Sequence, residues 1–348
     1  MTAFDPNLRT PVGGRGYVLL CVRGEATEIP AVVAALRDRW NVDALLLDPT
    51  RFPNEEFLSI EYDREGASRT NWARGPLESE PILSVWQGIF VGAGLPAMEP
   101  GVRETCVAAS EIAIVGFLEN LQVFQLDPFW KKSRADNKPH QLGVAQRLGL
   151  DVPKTLITND AAAVRAFAKQ CGSMVTKALL QEVPTGPVDD AERSVFFTTE
   201  MTADALENLD GLELCPMIFQ ERIENRFDVR VTIVGNRIFS VAAEAGARGG
   251  NNLDWRRQAY TLDRIPRWSA YELPDGIGAK LLKMLDRFGL NYGAVDLIVT
   301  QEGRHVFLEL NPSASFAFLG PSHTETIAGA IADVLVDPSA RRVPDENA

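Results

Sequence analysis

The sequence is short of positive charge, cysteine and histidine, and it contains no long apolar run. Lysine and arginine number 35 against 47 aspartate and glutamate in 348 residues, a formal net charge of −12. Duplex nucleic acid and anionic membrane are held through a positive footprint, so both are poor partners for such a surface. No apolar stretch approaches the ~20 residues that cross a bilayer. Residues 1–15 are polar and carry Gly and Pro without the apolar segment of a signal peptide, so a cytoplasmic protein is expected. Cys21, Cys106, Cys171 and Cys215 stand far apart, each in an apolar stretch. That spacing excludes zinc and redox pairs and predicts buried small hydrophobes. His140, His305 and His323 are isolated, and neither His-Glu-x-x-His nor Gly-x-Ser-x-Gly occurs. There is no Walker A pattern, and Gly92-x-Gly94-x-x-Ala97 carries Pro96 where a dinucleotide-binding helix should start. A Rossmann oxidoreductase and a P-loop kinase are therefore set aside. What remains is ample: 45% hydrophobic residues suffice for a sizeable core.

Alternation of elements predicts an α/β protein in three units. Residues 17–22, 30–40 and 44–47 read as strand, helix, strand, continued by a strand over 82–91 and a long helix over 102–121. Next comes a basic segment, 129–147, in which Asp136 or Asn137 can cap a helix with Pro139 in its first turn and Leu142, Ala145 and Leu148 on one face. Strand 152–158, helix 161–170 and strand 173–177 follow, then a Pro- and Gly-bearing loop, 180–193, that suits a lid, and strand 194–199. From Cys215 onward strands dominate: 217–221, 227–234 and 238–244, then 293–300 and 304–310, with helices near 278–288 and from Thr324. The expected division is 1–125, 126–215 and 216–348.

Four constellations could carry chemistry. If Glu302-Gly303 centres a hairpin turn, Asp296 lies opposite Glu309, and Asn311 shares their face. Two carboxylates opposed in apolar strands repel, so something positive must sit between them. Mg²⁺ suits three hard oxygen donors; the alternative is an arginine from a neighbouring strand. Asp228, Arg230 and Thr232 point to one face of their strand, and the arginine fork can capture phosphate or carboxylate, or merely make a surface ion pair. Lys177 ends an apolar strand, and Lys138 stands at a helix N-terminus, where its charge opposes the dipole unless an anion is bound; a solvated side chain is as good a reading of each. Residues 245–268 gather Arg248, Arg256, Arg257, Arg264 and Arg267 against Asp254 and Asp263. Such a patch suits an anionic substrate or a transferring phosphoryl group, or else ion pairs within a loop.

Taken in order, Lys138, Lys177, Gln220-Glu221-Arg222-Ile223, Asp228-x-Arg230, Asp296 and Glu309-Leu310-Asn311-Pro312 resemble the ATP-grasp superfamily from residue 129 to about 335. Residues 138–159, Lys-Pro-His-Gln-Leu-x-x-Ala-x-x-Leu-Gly-Leu-x-Val-Pro-x-Thr-Leu-Ile-Thr-Asn, and Asp254-Trp255-Arg256 are similar to the maturases of graspetides, the microviridin-type ribosomal peptides with side-chain crosslinks. Two features depart from that pattern: Gly186 alone represents glycine in loop 180–193, and Ser313-Ala314-Ser315 follows Asn311-Pro312.

The resemblance implies an ATP-grasp fold: an N-terminal α/β domain, a small central domain and a C-terminal antiparallel-sheet domain. It implies ATP held by Lys138 and Lys177, adenine read by the stretch from Gln220 and Glu221 through Arg222 to Ile223, and ribose met by Glu221 or Asp228. It implies two Mg²⁺ ions on Asp296, Glu309 and Asn311, with Arg230, Arg248 and Arg256 orienting the acceptor carboxylate and γ-phosphoryl. The implied partner is a ribosomal precursor peptide with a leader and an acidic core, acted on by a homodimer. Residues 129–134 are a candidate leader surface, with packing in the core as the alternative. The implied reaction activates Asp or Glu side chains as acylphosphates and closes ester or amide rings with Ser, Thr or Lys. A ligase adding amino acids to a small acid or a protein terminus, and a nucleotide-binding regulator without catalysis, remain alternatives.

Overall fold

The computed structural model describes residues 16–343 except 25, 66–67, 73–74, 77–81, 89–92, 180–181, 185–192, 196, 246–252 and 254–266. Four strands, β1 (Tyr17–Cys21), β2 (Asp43–Leu47), β6 (Ile82–Gln87) and β7 (Phe124–Leu126), form a parallel sheet in the order β2-β1-β6-β7. Helix α1 (Ile29–Trp40) covers one face and α2 (Pro100–Asn120) the other. Being covered on both faces, the strands read as continuous apolar runs without alternation. Val18, Leu20 and Leu46 pack towards α1, while Tyr17, Leu19 and Leu45 meet Ile114, Phe117 and Leu118 of α2. Between β2 and β6 the chain also forms a small antiparallel sheet of β3 (Leu58–Tyr62), β4 (Ser68–Trp72) and β5 (Gly75–Pro76). It was not predicted: β3 alternates Leu58, Ile60 and Tyr62 with polar residues over only five positions, and β4 brings a single large apolar residue, Trp72, to the core.

Helices α3 (Phe129–Asp136) and α4 (Lys138–Arg147) connect this unit to the rest. Asn137 caps α4, its side-chain oxygen accepting the His140 N–H at 3.0 Å. Lys131 and Lys132 of α3 are buried, so the packing alternative holds for them. Lys132 donates to the carbonyls of Gln87 and Gly88 at 2.7 and 2.9 Å. Burial lowers its pKa to about 8 against the pull of Asp127. Asp127, pushed up to about 6 by burial, accepts the backbone N–H groups of Asn291 and Tyr292.

The second sheet runs β12-β9-β13-β8, built from β8 (Thr155–Thr158), β9 (Met174–Ala178), β12 (Thr199–Glu200) and β13 (Met217–Glu221). Against it lie α5 (Ala161–Cys171) and α6 (Ala203–Glu207), and β10 (Glu182–Pro184) pairs with β11 (Arg193–Val195) in a separate two-stranded ribbon. The central position of β13 between β9 and β8 carries this sheet beyond residue 215, because β13 supplies hydrogen bonds to both neighbours. The third sheet runs β16-β15-β14-β17-β18, from β14 (Phe227–Val234), β15 (Arg237–Glu244), β16 (Ser269–Ala270), β17 (Tyr292–Val299) and β18 (His305–Asn311). Val229, Val231, Val295, Leu297 and Phe307 seal its inner face against Leu281, Met284, Leu285 and Phe288 of α7 (Asp275–Phe288).

The closing helix α8 (Pro321–Val336) packs against α1, β6, β7 and β14. Its Ile327, Ile331, Val334 and Leu335 join the cluster of the first sheet. At Asp333, Arg39 donates through both Nε and Nη2, joined by Trp40 Nε1 and by Arg237 from β15, all at 2.7–3.0 Å. The cysteines divide: Cys21 is buried, Cys106 and Cys171 are half-buried, and Cys215 is exposed, correcting the expectation that all four are core residues. Among the described residues no helix is long and apolar enough to cross a membrane.

Candidate active site

The outer face of the third sheet collects the charge. Side chains alternate along a strand, so the apolar set Val229, Val231, Ile233 faces α7 and the set Asp228, Arg230, Thr232 faces the other way. Arg230 lies opposite Asp296, and Asp296 lies opposite Glu309. Arg230 Nη1 donates to both oxygens of Asp296, at 2.8 and 3.0 Å. Lys138 Nζ sits 3.2 Å from Glu309 Oε2, and Asn311 Nδ2 donates to Asp296 at 3.0 Å and to Glu309 at 3.3 Å. Three adjacent strands and the first turn of α4 thus bring two carboxylates, one amide and two cations together.

The opposition of Asp296 and Glu309 arises by a different route from the one the sequence implies. The hairpin closes through the three-residue loop 301–303, with Thr300 and Arg304 hydrogen-bonded across it and Gly303 at φ 84°. A loop one residue longer than a two-residue turn slips the register by one. A bulge at Leu308, between the pairs Leu297–Phe307 and Asp296–Glu309, slips it back. The positive partners in this structure are Arg230 and Lys138, which is the neighbouring-strand alternative for Asp296 and the missing anion for the helix-terminal lysine.

Burial sharpens these contacts. The side chains of Arg230 and Lys138 are 7% and 9% exposed, and that of Glu309 13%. Arg230 Nε has no hydrogen-bond partner among the described residues, and its Nη2 reaches only the Ser315 carbonyl, at 3.4 Å. A buried guanidinium with donors to spare is a place for an acidic ligand. Asp136, at the end of α3, is held above the usual carboxylate range by burial and by Glu309, against the opposing pull of Lys138. Among the described residues no cluster of three or more His, Cys, Asp or Glu could hold a metal. The chemistry of Asp296, Glu309 and the Asn311 carboxamide nevertheless fits Mg²⁺, which needs only one or two protein carboxylates and takes its other ligands from water and phosphate.

One residue that positions the site was missed. Gln141 of α4, 1% exposed, donates to the Leu310 carbonyl at 2.7 Å and accepts the Leu310 N–H at 2.9 Å. It therefore grips the free edge of β18 between Glu309 and Asn311. A glutamine one turn before Ala145, on the buried side of a helix, was the available signal, since buried amides must be hydrogen-bonded. The helix face is accordingly Gln141, Val144 and Ala145, with Leu142 and Leu148 at its margin.

The remaining predicted residues lie on the second sheet and its exit. Lys177 of β9 pairs with Ile218 of β13, on the sheet face turned away from the Val164–Phe219 cluster beneath α5. Gln220 is buried and bonds Thr155 Oγ1 at 3.0 Å. The backbone N–H groups of Glu221 and Arg222 already donate to Lys154 and Ser173, and the Arg222 side chain pairs with Glu200 at 2.6 Å. Of the stretch expected to read adenine, two donors are thus used within the fold. Ile223 is half-buried, and Asp228 accepts from Asn225 at 3.0 Å. Arg248 and Arg256 lie outside the described residues, as does most of loop 180–193.

No protein-family model matches the sequence, and no curated protein matches it. Solved structures do. Macrocyclase MdnB from Microcystis aeruginosa MRC shares 29% identity over 92% of this chain and 99% of its own, with a TM-score of 0.75. A Chryseobacterium gregarium RiPP-associated ATP-grasp ligase, solved with ADP and a leader and core peptide, shares 24% identity over 94% and 98%, with a TM-score of 0.81. Sheet order, the charged outer face and these neighbours define an ATP-grasp fold. Macrocyclase MdnC from Microcystis aeruginosa MRC, solved with precursor peptide MdnA, is 34% identical over 92% of this chain and 99% of its own, at a TM-score of 0.78. This chain belongs to that family of graspetide-type ATP-grasp macrocyclases.

Proposed function

We propose that the chain is an ATP-dependent ligase that activates Asp or Glu side chains of a ribosomal precursor peptide and closes ester or amide links to Ser, Thr or Lys side chains of the same peptide. The observation that carries this reading is the outer face of the third sheet, where Asp296, Glu309 and Asn311 stand beside two buried cations. Neighbours solved with precursor peptides, with ADP and with Mg support it.

Lys138 and Lys177 would hold the nucleotide phosphates, residues 220–223 the base, and Glu221 or Asp228 the ribose. Asp296, Glu309 and Asn311 would hold two Mg²⁺ ions, which when bound supply positive charge to the phosphoryl oxygens. A peptide carboxylate oxygen attacks the γ-phosphorus, the bond to the bridging oxygen breaks, and ADP leaves. The hydroxyl or amine then attacks the acyl carbon and phosphate departs. Arg230, with its spare donors, and Arg248 and Arg256 orient the carboxylate and the phosphoryl group. The cluster of arginines in 245–268 would draw an acidic core peptide to an enzyme of net charge −12. A homodimer belongs to the same reading.

Incubation with ATP and a peptide carrying a leader and a Thr/Ser/Lys- and Asp/Glu-rich core tests it by mass spectrometry. Loss of one water per ring with matching ADP release is the expected result. A gain of one amino-acid residue per turnover, or nucleotide binding without ADP release, would replace it.

A further inference from the structure

We propose that Glu28 takes the proton from the peptide's attacking hydroxyl or amine during ring closure, with Ser315 holding its carboxylate toward the reacting face. The inference rests on the ligase reading above and concerns only its second step.

Glu28 stands at the N-terminal cap of α1, yet its side chain makes no hydrogen bond to that helix. Its Oε2 instead accepts from Thr27 Oγ1 at 3.1 Å and, across 287 positions of chain, from Ser315 Oγ at 3.3 Å. The same Ser315 offers its carbonyl to Arg230 Nη2, and Arg230 grips Asp296. Glu28 is therefore one residue removed from the arginine of the charged face, and it approaches from the first unit. Tyr292, whose hydroxyl donates to the Ala314 carbonyl, lies within the fields of both Arg230 and Glu28.

The two carboxylates that carry the charge of the face are committed: Asp296 is held by Arg230 and Asn311, and Glu309 by Lys138 and Asn311. Among the described residues, the half-buried Glu28 side chain is bonded to two hydroxyls and to no cation. Ring closure needs such an acceptor. The nucleophile's oxygen or nitrogen bonds to the acyl carbon, the carbon–oxygen bond to phosphate breaks with its electron pair, and the released proton passes to Glu28 Oε2. A carboxylate there also opposes the positive charge that gathers on the attacking atom.

A structural tie between units is the competing explanation, and the two separate cleanly. Glu28→Gln keeps an oxygen for Ser315 but removes the base. With precursor peptide and ATP it should close rings roughly 100-fold more slowly than wild type. Hydroxylamine, a nucleophile that needs no base, should trap the activated carboxyl as hydroxamate at the wild-type rate with undiminished ADP release. Glu28→Asp should recover part of the closure, and Ser315→Ala should slow closure less than Glu28→Gln. Ring closure by Glu28→Gln at the wild-type rate overturns the proposal, as does parallel loss of hydroxamate and rings. Wild-type protein that yields neither ADP nor hydroxamate overturns the ligase reading itself, a result read before any variant is made.

Discussion

The arginine–carboxylate clusters at Asp333 and at Asp296 differ in what is left over. Around Asp333, Arg39, Arg237 and Trp40 saturate one carboxylate, and two of its donors are arginines about half exposed to water. Around Asp296, one buried arginine spends a single nitrogen on the carboxylate and keeps Nε in reserve, while Glu309 stands opposite with a lysine of its own. The first cluster ties α1 and β15 to α8. The second carries unspent donors and paired acceptors, which is what a ligand site needs and a structural tie avoids.

Breaking the second cluster should have the largest effect. Glu309→Gln is expected to cut ATP-dependent ring closure roughly 10³-fold, the scale of removing one electrostatic stabiliser, and to cost less stability than a truncation because the amide oxygen still accepts from the buried Lys138. Asp296→Ala should lose closure as fully but also cost about 3 kcal/mol of stability, because it strands Arg230 as a buried unpaired charge. Chemical denaturation of the two variants side by side tests that difference. Asp333→Ala should show the opposite signature, losing about 2 kcal/mol with closure unchanged at low temperature, the cost moderated because its arginines are partly hydrated. Gln141→Leu should cost about 1–3 kcal/mol by leaving both Leu310 backbone groups unsatisfied. Its ring closure should fall as well, since the edge strand bearing Glu309 loses its clamp.

The smallest effect is one of pH. Burial would raise the Asp333 carboxyl, but hydrogen bonds from Arg39, Arg237 and Trp40 hold it below its ordinary value of 3.8. A lowered folded-state pKa gives stability that is present above that ordinary value and lost as pH falls through the folded one. The stability gap between wild type and Asp333→Asn should therefore narrow between pH 5 and pH 3, measured by denaturant midpoint; a constant gap would show that the charge at Asp333 is irrelevant.

The charged face was legible because strand alternation and one turn signal, Glu302-Gly303, set Asp296 against Glu309. That reading succeeded although a longer loop and the Leu308 bulge each shift the pairing, in opposite senses. Bulges carry no dependable sequence mark, so the compensation was invisible. The long-range contacts were hidden as well. Arg39 and Asp333 lie 294 positions apart, and nothing local in either segment announces the other. The lysines of residues 129–134 were ambiguous because a long side chain can be buried or solvated with the same neighbours in sequence. Burial among Gln87, Gly88 and Asp127 resolves Lys132 as part of the packed junction between α3 and the first sheet.

Binding of Mn²⁺ in the presence of a non-hydrolysable ATP analogue, followed by electron paramagnetic resonance, tests the central claim most directly. Wild-type protein should bind Mn²⁺ tightly only with the nucleotide present, and Glu309→Gln should lose that nucleotide-dependent binding while remaining folded. Equal binding by the two proteins would place the metal and the phosphates elsewhere and contradict the account.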